Sequence, residues 1–95
     1  TIDAEGGLWV AWWGGSALHR YLDGRLDRVI PMPVSRPTSC AFGGPDFDEL
    51  FVTSASTGLT IEARRAEPLA GAVFRVRPGV AGRPPDVFGG VEALR

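Results

Sequence analysis

The chain has no lysine, a single cysteine and a single histidine, and each scarcity closes a route to function. Cys40 alone excludes an intrachain disulfide and any cysteine-based zinc site, and His19 alone excludes a histidine pair on a metal. All ten strong bases are arginines, set against eleven acids for a net charge of −1. That balance leaves no basic tail for nucleic acid and no polybasic membrane anchor. The longest uncharged run, Gly6 to His19, is too short to cross a bilayer and holds four glycines. The opening Thr1-Ile2-Asp3-Ala4-Glu5-Gly6 has neither the basic start nor the apolar stretch of a signal peptide. A cytoplasmic setting without nucleic-acid or membrane partners is therefore expected. The first residue is not methionine, so a longer parent chain is expected too.

What the chain does have is punctuation. Thirteen glycines and eight prolines over 95 residues leave no room for a long helix and mark turns every few residues. Between them the pattern predicts strands at Leu8–Trp13, Ala17–Leu22, Arg25–Met32, Thr38–Phe42, Leu50–Ser54, Ala72–Arg77 and Asp86–Phe88. Leu8–Trp13 is continuously apolar, as a strand buried on both faces would be. Asp23-Gly24 is a two-residue hairpin signal, since both residues tolerate positive φ. Only Ile61–Glu67 reads as helical, for two turns at most. An internal repeat underlies this order. Leu8-Trp9-Val10-Ala11 aligns with Leu50-Phe51-Val52-Thr53, and Ala17-Leu18-His19-Arg20 aligns with Ala72-Val73-Phe74-Arg75. A period of about 40–45 residues holding four antiparallel strands is the signature of a β-propeller blade. Two blades alone would leave broad apolar faces in water, so partial unfolding or self-association is expected of the isolated chain.

The blocks Ile2-Asp3-Ala4-Glu5-Gly6-Gly7-Leu8-Trp9-Val10-Ala11, Pro37-Thr38-Ser39-Cys40-Ala41-Phe42-Gly43-Gly44, Leu50-Phe51-Val52-Thr53-Ser54-Ala55, Pro68-Leu69-Ala70-Gly71 and Phe88-Gly89-Gly90 together resemble the SMP-30/gluconolactonase (regucalcin-like) family. The resemblance implies an all-β, six-bladed propeller. Residues 1–90 would form about two C-terminal blades of four antiparallel strands, and residues 91–95 a tail. It implies a hydrolase of sugar lactones or similar small molecules that uses one divalent cation, Ca, Zn, Mg or Mn, in the central channel. The family's ligands, a Glu, Asn side chains and the Asp of a Pro-Asp-Gly motif, would all lie before Thr1. The fragment alone is therefore expected to bind no cation and to be inactive, its partners being the missing N-terminal blades. A non-catalytic calcium-binding or interaction propeller is the alternative, because a fold does not dictate chemistry.

Antiparallel order places Trp13–Ser16 and Ser56–Gly71 at the channel mouth and Asp3–Gly7 and Gly43–Glu49 at the far end. Thr38 and Ser39 open an inner strand at the repeat position of the family's missing metal-binding Asp, so either hydroxyl is a channel candidate. The alternative for Thr38 is a bond to its own backbone. Trp13 offers an aromatic surface at the mouth, while Trp9 and Trp12 are expected in the core. Arg64 and Arg65 lie in the long connection, a candidate lid; the alternative reading of the two arginines, and the favoured one, is a solvated charge pair. His19 and Cys40 read as packing residues. The acids Asp46, Asp48 and Glu49 read as a solvated turn rather than a calcium loop, and so do Asp3 and Glu5.

Overall fold

The computed structural model describes residues 1–83; the expected strand Asp86–Phe88, the Phe88-Gly89-Gly90 block and the tail 91–95 lie outside them. Turn residues cut the described chain into β1 (Leu8–Trp12), β2 (Ala17–Leu22), β3 (Arg25–Pro31), β4 (Pro37–Gly43), β5 (Glu49–Ser54), α1 (Ile61–Ala66) and β6 (Val73–Val76). These elements form two antiparallel sheets, β1-β2-β3 and β4-β5-β6. The internal repeat is thereby explained: its two halves are β1 with β5 and β2 with β6. Thr1–Asp3 runs antiparallel beside β1. Thr1 and Trp9 exchange backbone hydrogen bonds of 2.8 and 3.1 Å, and Ile2 bridges Leu8. The hairpin at Asp23-Gly24 has φ of 52° and 76°, which matches the right-handed twist of β2 and β3.

The core lies between the sheets. Trp9 and Leu18 from the first meet Phe42, Leu50 and Val52 from the second, with Met32 and Val34 of the linker filling the seam. Trp9 is 1% exposed and meets the Phe42 ring nearly edge-on, at 6.4 Å between centroids. Burying each of these aliphatic side chains contributes roughly 1.5–3 kcal/mol of transfer free energy. Alternation turns Leu8, Val10 and Trp12 to the opposite face of β1. That face is open here, as expected of two blades without their neighbours: Leu8 and Trp12 are each 44% exposed. Trp12 stands on that open face, which no described element covers. His19 does pack, with its ring 4.9 Å from Trp12 and Nδ1 3.2 Å from the Tyr21 hydroxyl. Burial pushes the Cys40 thiol pKa up, as suits an unreactive packing residue.

Strand direction sorts the connections into two groups. The turn after β1, the linker 32–36 and the connection from β5 through α1 to β6 share one end of the sheets, called here the upper end. The loops 3–7, 23–24 and 44–48 share the lower end.

At the lower end two expectations of solvated acids fail. Asp3 is 0% exposed. Its carboxylate accepts from the backbone N–H groups of Glu5 (2.9 Å) and Gly7 (2.8 Å), from the Trp9 indole (2.8 Å) and from Arg20 Nε (2.8 Å). Arg20 is itself buried and also donates to Glu5 and Asp27, each at 2.7 Å. The register of β2 and β3 slips at Arg20/Tyr21, leaving Asp27 outside the ladder with its carboxylate against Arg20. Burial alone would raise the Asp3 pKa; the Arg20 donors, with the N–H groups of Gly7, Trp9 and Glu5, outweigh it and hold the pKa at about 2. Gly7 is required here, since a Cβ would run into Arg20 and Asp3. Glu49 is the second correction. It is buried and bonds Arg77 at 3.1 Å, while Asp46 alone of that turn's acids stays fully exposed.

Candidate functional site

The upper end is assembled from both sheets. Pro37 and Ser39 pair with Ser54 and Thr53, and the ladder slips between them so that Thr38 is the extra residue of a bulge. A bulge re-aims a side chain. Here the Thr38 hydroxyl meets the Thr53 hydroxyl at 2.6 Å on an exposed surface. The partner of Thr38 is thus a side chain on the neighbouring strand, not its own backbone. Ser39 is exposed beside it.

Trp13 follows the last residue of β1 and is 54% exposed. The Arg36 guanidinium lies 5.2 Å from its ring centroid and donates from Nη1 to the Thr57 carbonyl. The Arg36 backbone is pinned as well, its carbonyl accepting from Ala55 N–H at 3.0 Å. Trp13, Arg36 and Thr57 therefore tie the first sheet's upper turn, the linker and the second sheet's long connection together.

That connection is built in two parts. Ser56–Thr60 leads into α1, whose N-cap Thr60 accepts from Ala63 N–H at 3.1 Å. Glu62 in the first turn and Arg64 and Arg65 in the last suit the helix dipole. Both arginines are exposed and make no ion pair among the described residues, so they do not join the Trp13–Arg36 group. After α1, Glu67 accepts the Ser35 backbone N–H at 2.6 Å and ties the connection to the linker a second time. The return to β6 is closed by the Ser54 hydroxyl, which bonds Ala72 O at 2.6 Å and Gly71 N–H at 3.1 Å.

Sequence reasoning missed Arg36, Glu67 and the Asp3–Arg20 network. Arg36 had a signal, since it directly precedes the Pro37-Thr38-Ser39 strand opening. Arg20 had one in its repeat partner Arg75. Among the described residues no group of three or more His, Cys, Asp or Glu side chains could hold a metal ion. No described helix is long and apolar enough to cross a membrane.

The two repeated sheets and their upper-end loops define a class. The sequence model of the SMP-30/Gluconolactonase/LRE-like region matches residues 1–56, and the chain belongs to that family. It is 45% identical over 93 residues to regucalcin of Gallus gallus and 38% identical over 92 residues to regucalcin of Homo sapiens. Each match covers 94% of this chain, which spans 31% of the length of those relatives. Among solved structures, a regucalcin from Agrobacterium tumefaciens, described as a calcium-binding protein, superposes with a TM-score of 0.85 at 39% identity. It covers 92% of this chain and 30% of the other. A luciferin-regenerating enzyme gives 0.75 at 39% identity, over 87% and 28%. The all-β propeller architecture follows, with this chain as part of it.

Proposed function

We propose that this chain forms wall and mouth of the substrate channel in a divalent-cation-dependent hydrolase of sugar lactones. The carrying observation is the bulge at Thr38. It presents two hydroxyls, Thr38 and Thr53, at the strand opening where the family resemblance puts a metal-binding carboxylate one repeat earlier. A hydroxyl pair there can hydrogen-bond a sugar or a water but cannot replace a carboxylate ligand. The described residues do not fit a cation site: no three of their His, Cys, Asp or Glu side chains converge on one point, Glu67 is committed to Ser35, and Asp3, Glu5, Asp27 and Glu49 are committed to arginines. The cation, which supplies carbonyl polarisation and an acidified water when bound, belongs to residues outside this chain. What this chain's own side chains do is bind and orient. Trp13 gives a flat apolar surface for a sugar ring, and Thr38 and Ser39 give hydroxyl donors and acceptors.

The test is an assay of the longer parent protein on an aldonic acid lactone. Chelation should abolish hydrolysis, and re-addition of at least one of Ca, Zn, Mg or Mn should restore it. Calcium binding without hydrolysis under any of these cations would favour the non-catalytic calcium-binding reading, which the description of the Agrobacterium relative supports.

A further inference from the structure

Arg36 differs from the other arginines held in place by side-chain contacts. Arg20, Arg75 and Arg77 face carboxylates, and Arg28 spans Trp9 and the Pro78 carbonyl near the lower end. Arg36 has no carboxylate partner among the described residues, yet its guanidinium is fixed from two sides. Its Cζ lies over the Trp13 ring, and Nη1 is anchored on the Thr57 carbonyl. Gly58 lies beside the second contact. It adopts φ +79°, and a Cβ there would sit 2.7 Å from Arg36 Nη1. A side chain at residue 58 would have to push the guanidinium aside, and the backbone φ of +79° there itself favours glycine. Arg36 Nε and Nη2 form no hydrogen bond among the described residues, and no buried polar atom is left unpaired, so these donors face solvent. Two parallel N–H donors on a pre-oriented guanidinium are the standard receptor for a carboxylate. The group stands two residues before the Thr38 bulge, at the same end of the sheets.

We propose that Arg36, held by Trp13 and Thr57, determines substrate specificity by binding a free carboxylate on the substrate, and that the preferred substrates are lactones of sugar diacids. The proposal rests on the lactonase reading above and deepens it. Each such lactone carries, besides the ester that is opened, a second carboxylate that stays ionised throughout. Arg36 takes no part in bond breaking; it sets which lactone is held at the mouth.

The experiment compares kcat/KM of the full-length protein for a sugar-diacid monolactone and for a neutral aldonolactone. Arg36→Ala should lower the ratio of the two by about tenfold or more, the loss expected of one charge-assisted hydrogen bond. Arg36→Lys, which keeps the charge but not the fork, should lower it less, and Gly58→Ala should lower it by displacing the guanidinium. Both keep the test open if Arg36→Ala does not fold. A ratio unchanged in every variant overturns the proposal. If the wild type opens neither lactone, the lactonase reading falls, and calorimetric titration with the open sugar diacid decides Arg36 separately. Weaker binding to Arg36→Ala than to wild type supports the carboxylate site, and equal or absent binding to both overturns it.

Discussion

Asp3 illustrates what one buried carboxylate does for this fold. It ends the Thr1–Asp3 segment, caps the turn to Gly7, pins the Trp9 indole and neutralises the buried Arg20 seventeen residues away. Hydrogen bonds donated to Asp3 and then to Asp27 hold the Arg20 guanidinium firmly protonated, so acid acts through Asp3. Its pKa is about 2 folded against an ordinary 3.8, a depressed value, so its stabilisation is full above about pH 4 and is lost as pH falls toward 2. The difference corresponds to roughly 2 kcal/mol. Denaturant midpoints of the full-length protein between pH 5 and pH 2 should fall more steeply for wild type than for Asp3→Asn. Parallel slopes would show that Asp3 is not the acid-sensitive anchor. None of this was legible locally. Asp3-Ala4-Glu5-Gly6 has the composition of a solvated turn, and only the sheet brings Arg20 over it. The same holds for Glu49 and Arg77.

At the scale of elements, punctuation and periodicity carried most of the fold. The six strands, the two-turn helix and the Asp23-Gly24 hairpin lie where glycine, proline and apolar pattern put them. The continuous apolarity of β1 records that both faces are meant to be covered, not which chain covers them, and in this chain one is open. The Ser56–Gly71 connection was legible as long and as upper-end, but its fastening was not. Glu67 on Ser35 and Thr57 on Arg36 strap it to the linker. Helix α1 buries no residue. Replacing the connection by a three-residue turn should therefore cost little hydrophobic free energy. We expect the two lost hydrogen bonds to lower stability by about 1–3 kcal/mol. KM for lactone should shift, because the anchored Arg36 and the mouth lose a wall. A collapse in denaturant midpoint with KM unchanged would make the connection purely structural.

At the scale of the whole molecule, two sheets pack on each other through Trp9, Leu18, Phe42, Leu50 and Val52 and present two outward faces. One carries Leu8, Trp12, Leu26 and Val29, the other Phe51 and Val73, all exposed. Faces of that kind belong against further sheets, and the chain spans 31% of the length of its regucalcin relatives. On the proposed function, labour is divided between the ends. The lower end fixes each sheet from within, the first by the buried Asp3–Arg20 pair and the second by Glu49 with Arg77, while the upper end would face substrate beside a cation held by other parts of the parent protein. Anomalous diffraction from manganese-soaked crystals of the full-length protein tests that division most directly. The account predicts a manganese peak at the upper end, on the side of Thr38 and Trp13, with no ligand from residues 1–83. A peak coordinated by Asp46, Asp48 or Glu49 at the lower end would contradict it.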